Sequence, residues 1–184
     1  INKSDFVTSV SESLKADTLK LFSIKNEIQV IPNFIDLDKE KKDPNTPCHR
    51  SVMAAADERI ITHISNFRGV KRIPDVVKIF YKIQKEIPAK LMMVGDGPEK
   101  EKAEELCFEL GIQDKVIFFG NSNEIDKILC FTDLFLLPSQ TESFGLVALE
   151  AMACSVPVIS SNSGGLPEVN FDGFSGFLSD VGNV

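Results

Sequence analysis

The feature that most constrains the fold of this chain is a regular alternation of short apolar strands and helices that begins at Arg59. The residue patterns predict strands at 59–65, 90–95, 115–119, 133–137, 157–160 and 176–178, and helices at 74–86, 98–110, 123–130 and 143–153, with a helical turn at 166–171. Such alternation with short connections is typical of a parallel sheet covered by helices on both faces. The sequence therefore predicts an α/β, Rossmann-like fold that binds ligands at the carboxyl ends of its strands, near a switch in strand order.

The chain before Arg59 divides into two further parts. Residues 1–38 contain a weak strand, a short helix and a second strand, whereas residues 39–58 are highly charged and then interrupted by prolines, which predicts a linker or mobile loop. We take residues 59–184 as the main domain, truncated at its carboxyl-terminal end. Because the chain opens on Ile1 and stops just after a predicted strand, we expect it to be a fragment of a larger protein.

Composition and charge exclude several classes of function. The 184 residues are 43% hydrophobic and 26% charged, which are ordinary values for a globular domain, and the net charge of −7 argues against a nucleic-acid-binding protein. No signal peptide and no membrane-length apolar run is present, so we expect a cytoplasmic protein without a membrane span. No zinc-type or disulfide spacing connects the four cysteines, which are Cys48, Cys107, Cys130 and Cys154.

The first candidate binding loop follows the first strand of the main domain and carries three cations within five residues, Arg68, Lys71 and Arg72. Cations at the mouth of a parallel sheet suit a diphosphate, and Gly69 would let the loop fold the heads of Arg68 and Lys71 inward. Arg72 is expected to face solvent. The alternative is a solvated basic turn. The nearby strand histidine, His63, is interpreted as a packed core residue.

The second candidate loop runs from Ser139 to Leu146 and leads into a predicted helix that contains Glu150. A helix amino terminus offers free N–H groups to a phosphate, and Gly145 would let a ligand approach the backbone. Glu142 and Glu150 are eight residues apart, about two helical turns, so both carboxylates could point toward the vicinal hydroxyls of one ligand. The alternatives are a capping acid at Glu142 and a satisfied, partly buried Glu150.

Two glycine-containing turns carry weaker signals. The turn from Gly95 to Pro98 looks like half of a nucleotide fingerprint, but connection geometry explains its glycines well. The turn from Ser163 to Glu168 has two glycines, which would permit a ligand to approach the backbone or would simply form a tight turn.

Taken together, these segments resemble the nucleotide-sugar half of retaining glycosyltransferases with two Rossmann-like domains, the GT-B enzymes of glycosyl transferases group 1. The marker is the Glu-x7-Glu motif from Glu142 to Glu150, and the resemblance covers nearly the whole chain. It includes the segments 30–36, 94–98, 150–153, 157–159 and 164–169. The loop from His63 to Arg72 resembles, more narrowly, the bacillithiol-pathway members of this family, which transfer N-acetylglucosamine from UDP-GlcNAc to L-malate.

The resemblance implies a role for each motif residue. Glu150 would bind the ribose hydroxyls, and Glu142 would hold the donor sugar. Lys71 and Arg68 would neutralise the diphosphate leaving group. The implied catalytic residues are Lys71, Arg68 and Glu142, and the implied donor-binding residues are Glu142, Ser143, Phe144, Gly145, Leu146, Val147, Glu150, Gly120 and Asn121, of which the last two would lie against the base.

The resemblance also implies what surrounds this chain. The acceptor, a small hydroxy acid or a sugar, would bind an amino-terminal half outside this chain, with residues 1–38 as the tail of that half and the crossover into this one. No metal or other cofactor is expected, no nucleic acid is expected as a partner, and a homo-oligomer is left open. The isolated fragment would bind a UDP-sugar without transferring it.

Two positions depart from the family pattern. Many relatives carry an arginine where this chain has Asn66, and Arg68 would substitute for it. Ser155 stands where the family usually has glycine, which would be unfavourable if the backbone there has a positive φ. The competing hypotheses are half of a UDP-GlcNAc-type sugar-nucleotide epimerase and a non-catalytic flavodoxin-like module.

Overall fold

A computed structural model describes residues 1–36 and 50–184 of the chain. The strands are β1 Val7–Ser9, β2 Ile28–Val30, β3 Arg59–Ile64, β4 Ala89–Val94, β5 Val116–Gly120, β6 Leu134–Leu137, β7 Val158–Ser161 and β8 Gly176–Ser179. The α-helices are α1 Glu12–Leu21, α2 Arg50–Met53, α3 Ile73–Glu86, α4 Lys100–Glu109, α5 Ile125–Cys130 and α6 Leu146–Ala153. Short 3₁₀ helices occupy Gly69–Lys71, Gln113–Lys115 and Leu166–Glu168. No helix within the described ranges is long and apolar enough to cross a membrane.

The main sheet has six strands in the order β5-β4-β3-β6-β7-β8, and every neighbouring pair is parallel. From β3 the chain moves outward through β4 to β5, and it then returns to place β6 on the other side of β3. This reversal of direction is the switch point at which doubly wound sheets bind their ligands. The remaining two strands, β1 and β2, form a separate parallel pair.

Helices cover both faces of the main sheet, because successive residues of each strand point to opposite sides. Leu91 and Met93 of β4 pack in one cluster with Phe80 of α3, whereas Met92 and Val94 belong to a cluster on the other face. Helices α3 and α4 therefore lie on one side, and α2, α5 and α6 on the other. The predicted α/β class and its two helical layers are confirmed.

The last part of the predicted linker, from residue 50 onward, contains the short helix α2. Residues 39–49 lie outside the described part of the chain, but Arg50 in α2 lies 2.8 Å from a carboxylate oxygen of Asp133 and donates a hydrogen bond to the carbonyl of Phe131. Asp133 also accepts from the backbone N–H of Ile60. Residues 50–53 are thus attached to the main sheet rather than forming a loop, and the division at residues 38 and 58 stays a prediction.

The amino-terminal segment contacts the loops that follow β6 and β7. The Ser11 hydroxyl donates to the carbonyl of Ser143 over 2.6 Å, and it also caps α1. The carboxylate of Glu168 accepts from the backbone N–H groups of Glu12 and Ser13, each over 2.8 Å. These contacts place the first turn of α1 beside the carboxyl edge of the main sheet.

Candidate functional site

The two candidate loops meet at the switch point between β3 and β6. Lys71 follows β3 and Glu142 follows β6, and the Lys71 ammonium lies 2.5 Å from Oε1 of Glu142. The backbone joins the same loops, because the N–H of Gln140 donates to the carbonyl of Val70 over 2.7 Å. Residues 71 positions apart in the sequence are brought together because β3 and β6 are neighbours in the sheet.

Glu142 is a restrained and largely enclosed carboxylate. Its side chain is 14% exposed and that of Lys71 is 18% exposed. The hydroxyl of the buried Ser139 donates to the same oxygen, Oε1, over 2.8 Å. Low exposure strengthens such charge-assisted contacts, so the pair forms a preorganised polar centre at the mouth of the sheet. Sequence reasoning missed Ser139 as a site residue, although it lies in the same loop.

The three cations of the basic loop have different surroundings. Arg68 is exposed and forms no ion pair with the described residues. Arg72 differs from the expectation of a solvent-facing side chain, because it is only 30% exposed and binds the carboxylate of Asp75 over 2.5 Å. Gly69 has no positive φ and no atom within 4 Å of where a Cβ would lie, so the fold itself does not require glycine there, and its expected role in letting the loop fold both cations inward stays a prediction.

The helix that carries Glu150 begins later than predicted, at Leu146. Glu142 therefore lies in the preceding loop, and the two-turn spacing argument does not describe its position relative to Glu150. Leu146 and Val147 form the first positions of α6, where backbone N–H groups have no acceptor within the helix. These amides and the positive end of the helix dipole can bind an anion.

Gly145 serves packing as well as backbone conformation. It caps α6 with a φ of +95°, and a Cβ added to it would lie 2.6 Å from a methyl carbon of Leu166. The expected ligand approach at Gly145 is therefore not needed to explain this glycine. The neighbouring Phe144 is buried, whereas Ser143 is exposed and uses its carbonyl to accept from Ser11.

Both glycine-containing turns allow one protein loop to approach another. A Cβ on Gly95 would lie 1.8 Å from the carbonyl oxygen of Ser65, and one on Gly97 would lie 2.2 Å from that of Asn66. The turn from Gly95 to Pro98 therefore supports the basic loop. This close approach, together with connection geometry, explains its glycines.

The second glycine turn supports the acidic loop in the same way. A Cβ on Gly164 would lie 2.2 Å from the carbonyl oxygen of Glu142, and one on Gly165 would lie 2.5 Å from that of Ser143. The N–H of Gly165 also donates to the Glu142 carbonyl over 2.8 Å. Close contact with protein backbone is therefore sufficient to explain both glycines.

Gly120 and Asn121 lie farther along the carboxyl edge, at the end of the edge strand β5. The Gly120 carbonyl accepts from the N–H of Gly95, which ties this position to the turn that supports the basic loop. Asn121 is exposed. Because the strands of the main sheet are parallel, both residues lie at the same edge of the sheet as Lys71. They follow β5, whereas Lys71 follows β3, and β4 lies between these two strands.

His63 is fully buried, as predicted for a core residue, but it is also hydrogen-bonded at both ring nitrogens. Nδ1 lies 2.9 Å from the carbonyl of Leu136 and Nε2 lies 2.8 Å from the hydroxyl of Ser65. Burial lowers the pKa of His63 to about 4; the Leu136 hydrogen bond opposes this shift and the positive charge of Lys71 adds to it. The ring is therefore neutral at pH 7.

A cleft of about 260 Å³ opens beside the ion pair, between α1 and the two loops. Lys71, Glu142 and Ser143 line one side, and Ser13 and Asp17 of α1 line the other. Among residues 1–36 and 50–184, no group of three or more His, Cys, Asp or Glu side chains could hold a metal ion. The expectation of a metal-independent reaction stays a prediction.

Comparison with known proteins identifies the family of this arrangement. Residues 48–184 match the family described as glycosyl transferases group 1. The chain belongs to the glycosyl transferases group 1 family. Over its entire length it is 46% identical to N-acetyl-alpha-D-glucosaminyl L-malate synthase of Bacillus anthracis, of which it covers 48%. The chain thus spans about half the length of the curated relatives it matches.

Two solved structures share the fold of this chain. Anabaena Alr3699/HepE, determined in complex with UDP and glucose, superimposes with a TM-score of 0.88 over 97% of this chain and 50% of its own, at 24% identity. S. aureus TarM, determined as a mutant with fondaparinux, alpha-GlcNAc-glycerol and UDP, gives a TM-score of 0.83 over 99% of this chain and 35% of its own, at 27% identity. These likenesses confirm the expected Rossmann-like half of a GT-B fold. They favour neither the sugar-nucleotide epimerase nor the flavodoxin-like module.

Proposed function

We propose that this group 1 glycosyltransferase chain binds the nucleotide-sugar donor in an enzyme that transfers N-acetylglucosamine from UDP-GlcNAc to L-malate. The observation that carries the proposal is the enclosed Lys71–Glu142 pair at the switch point, beside the amino terminus of α6. The finer choice of substrates is supported by 46% identity over the whole chain to a protein named for that reaction. The acceptor would bind in the part of the enzyme that this chain does not span, and the enzyme would be cytoplasmic.

The diphosphate would lie between the basic loop and α6. Arg68 is exposed and uncommitted to described carboxylates, so its guanidinium can turn toward a phosphate without breaking an ion pair. Lys71 would be shared between Glu142 and the diphosphate. The first amides of α6, at Leu146 and Val147, would complete the anion site.

The two carboxylates would bind the two sugars of the donor. Glu142, oriented by Ser139 and Lys71, would accept hydrogen bonds from the hydroxyls of N-acetylglucosamine, with the backbone at Ser143, Phe144 and Gly145 beside it. Glu150, half-buried in the second turn of α6, would bind the ribose. Gly120 and Asn121, at the end of β5, would lie against the base.

These positions suit chemistry in which the nucleoside diphosphate departs as an anion. The bond between the anomeric carbon and the terminal phosphate oxygen would break with its electron pair staying on that oxygen, while the acceptor hydroxyl would bond to the same carbon and lose its proton as UDP leaves. Lys71 and the α6 dipole, which are already in place, would stabilise that charge without reorganisation, and Arg68 would add its charge once its exposed side chain has turned toward the phosphate. The transfer would proceed with retention of configuration and without a metal ion.

The experiment is calorimetry of UDP, uridine and UDP-GlcNAc binding to the full-length protein and three variants. Glu142→Gln keeps the shape of the side chain and should weaken UDP-GlcNAc more than UDP, whereas Glu150→Gln should weaken both. Each loss should be about 1.5–3 kcal/mol, roughly tenfold to 150-fold in affinity, because one charge-assisted contact is removed. Lys78→Ala, which changes an exposed lysine of α3, serves as the control. Equal losses of UDP in both glutamate variants would contradict the assigned roles.

A further inference from the structure

A chain of directional hydrogen bonds runs from the centre of the sheet to the basic loop. The Leu136 carbonyl can only accept, so Nδ1 of His63 carries the proton and Nε2 is left as an acceptor. The Ser65 hydroxyl must then donate to Nε2, over 2.8 Å. This leaves the Ser65 oxygen free to accept from the backbone N–H of Phe67, which lies 3.3 Å away.

Phe67, the last residue in this series of hydrogen bonds, has an unusual backbone conformation. Its φ is +37°, a region that bulky residues rarely adopt, and its side chain is fully buried. The ring stacks on that of His63 with centroids 6.2 Å apart, and the Phe67 carbonyl accepts from the N–H of Glu99. Such a conformation persists only when its surroundings hold it in place.

The conformation of Phe67 decides where the basic residues lie. Arg68 follows immediately, in an extended conformation, and directly precedes the 3₁₀ helix that carries Lys71. A change of φ at Phe67 to an ordinary negative value would redirect the chain just before both cations. The neutral state of His63 matters here, because a doubly protonated ring could not accept from Ser65.

We propose that His63 and Ser65 are positioning residues that act through Phe67 to hold Arg68 and Lys71 in place for the diphosphate. The inference rests on the proposed function, since it concerns the same anion site. Neither residue needs to touch the donor. The buried hydrogen bonds from Leu136 through His63 and Ser65 to Phe67 would fix the backbone direction at the start of the basic loop.

Replacing His63 itself removes a fully buried ring and could prevent folding, so the decisive variant is Ser65→Ala, which removes a single oxygen. Ser65→Thr restores the hydroxyl. The matched control is Thr62→Val, because Thr62 precedes His63 on β3 and its buried hydroxyl lies 2.7 Å from that of Thr132. Thr132 retains its bond to the Ile128 carbonyl when Thr62 changes.

UDP and uridine affinities and melting temperatures would be measured for the full-length protein. We expect Ser65→Ala to lose about tenfold in UDP affinity and less than twofold in uridine affinity, and Ser65→Thr to recover most of the loss. Thr62→Val should lower the melting temperature without changing either affinity. Uridine is the internal reference, since it lacks the phosphates that the basic loop would contact.

The possible results distinguish failure of the positioning role of Ser65 from failure of the proposed function. If the parent protein binds UDP and Lys71→Ala weakens it, but Ser65→Ala binds UDP as the parent does, the positioning role is overturned and the proposed function stands. An equal loss of uridine and UDP in Ser65→Ala would also overturn the positioning role. If the parent binds neither UDP nor UDP-GlcNAc, the proposed function is wrong and this inference falls with it.

Discussion

The turn beneath the basic loop offers a sharp test of how the site is supported. Gly95 has a φ of +121°, and a Cβ at this position would lie 1.8 Å from the carbonyl oxygen of Ser65. Gly111 also has a positive φ, +66°, but nothing lies within 4 Å of its Cβ position. Comparing Gly95→Ala with Gly111→Ala therefore separates the cost of the backbone conformation from the cost of displacing the loop.

The magnitudes follow from this geometry. In Gly111→Ala only the left-handed conformation is penalised, by about 1–2 kcal/mol. In Gly95→Ala the glycine-specific conformation costs about 1–3 kcal/mol, and Ser65 must also move about 1.6 Å, from 1.8 Å to an ordinary contact of 3.4 Å. Overpacking of this kind adds about 1–3 kcal/mol. The free energy of unfolding should therefore fall by about 2–6 kcal/mol.

Thermal unfolding and calorimetry with UDP would measure both consequences. A chain of this size loses about 2–4 °C in melting temperature for each kcal/mol, so Gly95→Ala should melt well below Gly111→Ala. It should also bind UDP less tightly, because the displaced backbone at Ser65 leads directly to Arg68 and Lys71. Equal stability of the two variants, or a Gly95→Ala variant with the parent's UDP affinity, would show that this turn does not hold the basic loop in place.

Three further predictions concern single residues. Gly69→Ala should leave the free energy of unfolding nearly unchanged in urea titrations, since its Cβ position is open and its φ ordinary. Ser155 has a φ of +61°, so Ser155→Gly should raise the free energy of unfolding by about 0.5–1 kcal/mol in urea titrations, whereas Ser155→Ala, which keeps the Cβ, should not. His63 has a folded pKa of about 4, against 6.5 unfolded, so protons favour the unfolded chain. Stability in urea titrations should fall by about 3 kcal/mol as the pH drops from 6.5 to 4, and an NMR titration in which the folded protein protonates His63 near pH 6.5 would contradict this.

Much of the fold could be predicted from the sequence because its causes are local. Short apolar or β-branched runs predict each strand from β3 to β8, and the helices between them follow from the spacing of their apolar residues. The sequence pattern predicts the start of α6 three residues too early, because only the capping geometry at Gly145 shows where the helix begins.

The candidate site was predictable in its location. Lys71 and Glu142 stand after strands of a parallel sheet, and the carboxyl ends of parallel strands share one edge. That rule predicts that both residues face the same side. It does not predict that they touch, because the strand order was not known and a pair 71 positions apart is decided by which strands are neighbours.

The tertiary structure decided how the loops are held. The sequence alone determined a parallel α/β sheet with charged loops at one edge, because periodicity and turn residues act over a few positions. The Lys71–Glu142 pair, the contact of Gly95 with Ser65 and the His63 hydrogen bonds join different strands and loops. Distances of this kind depend on how the strands are ordered and how closely their loops pack, and no local pattern of residues encodes either quantity.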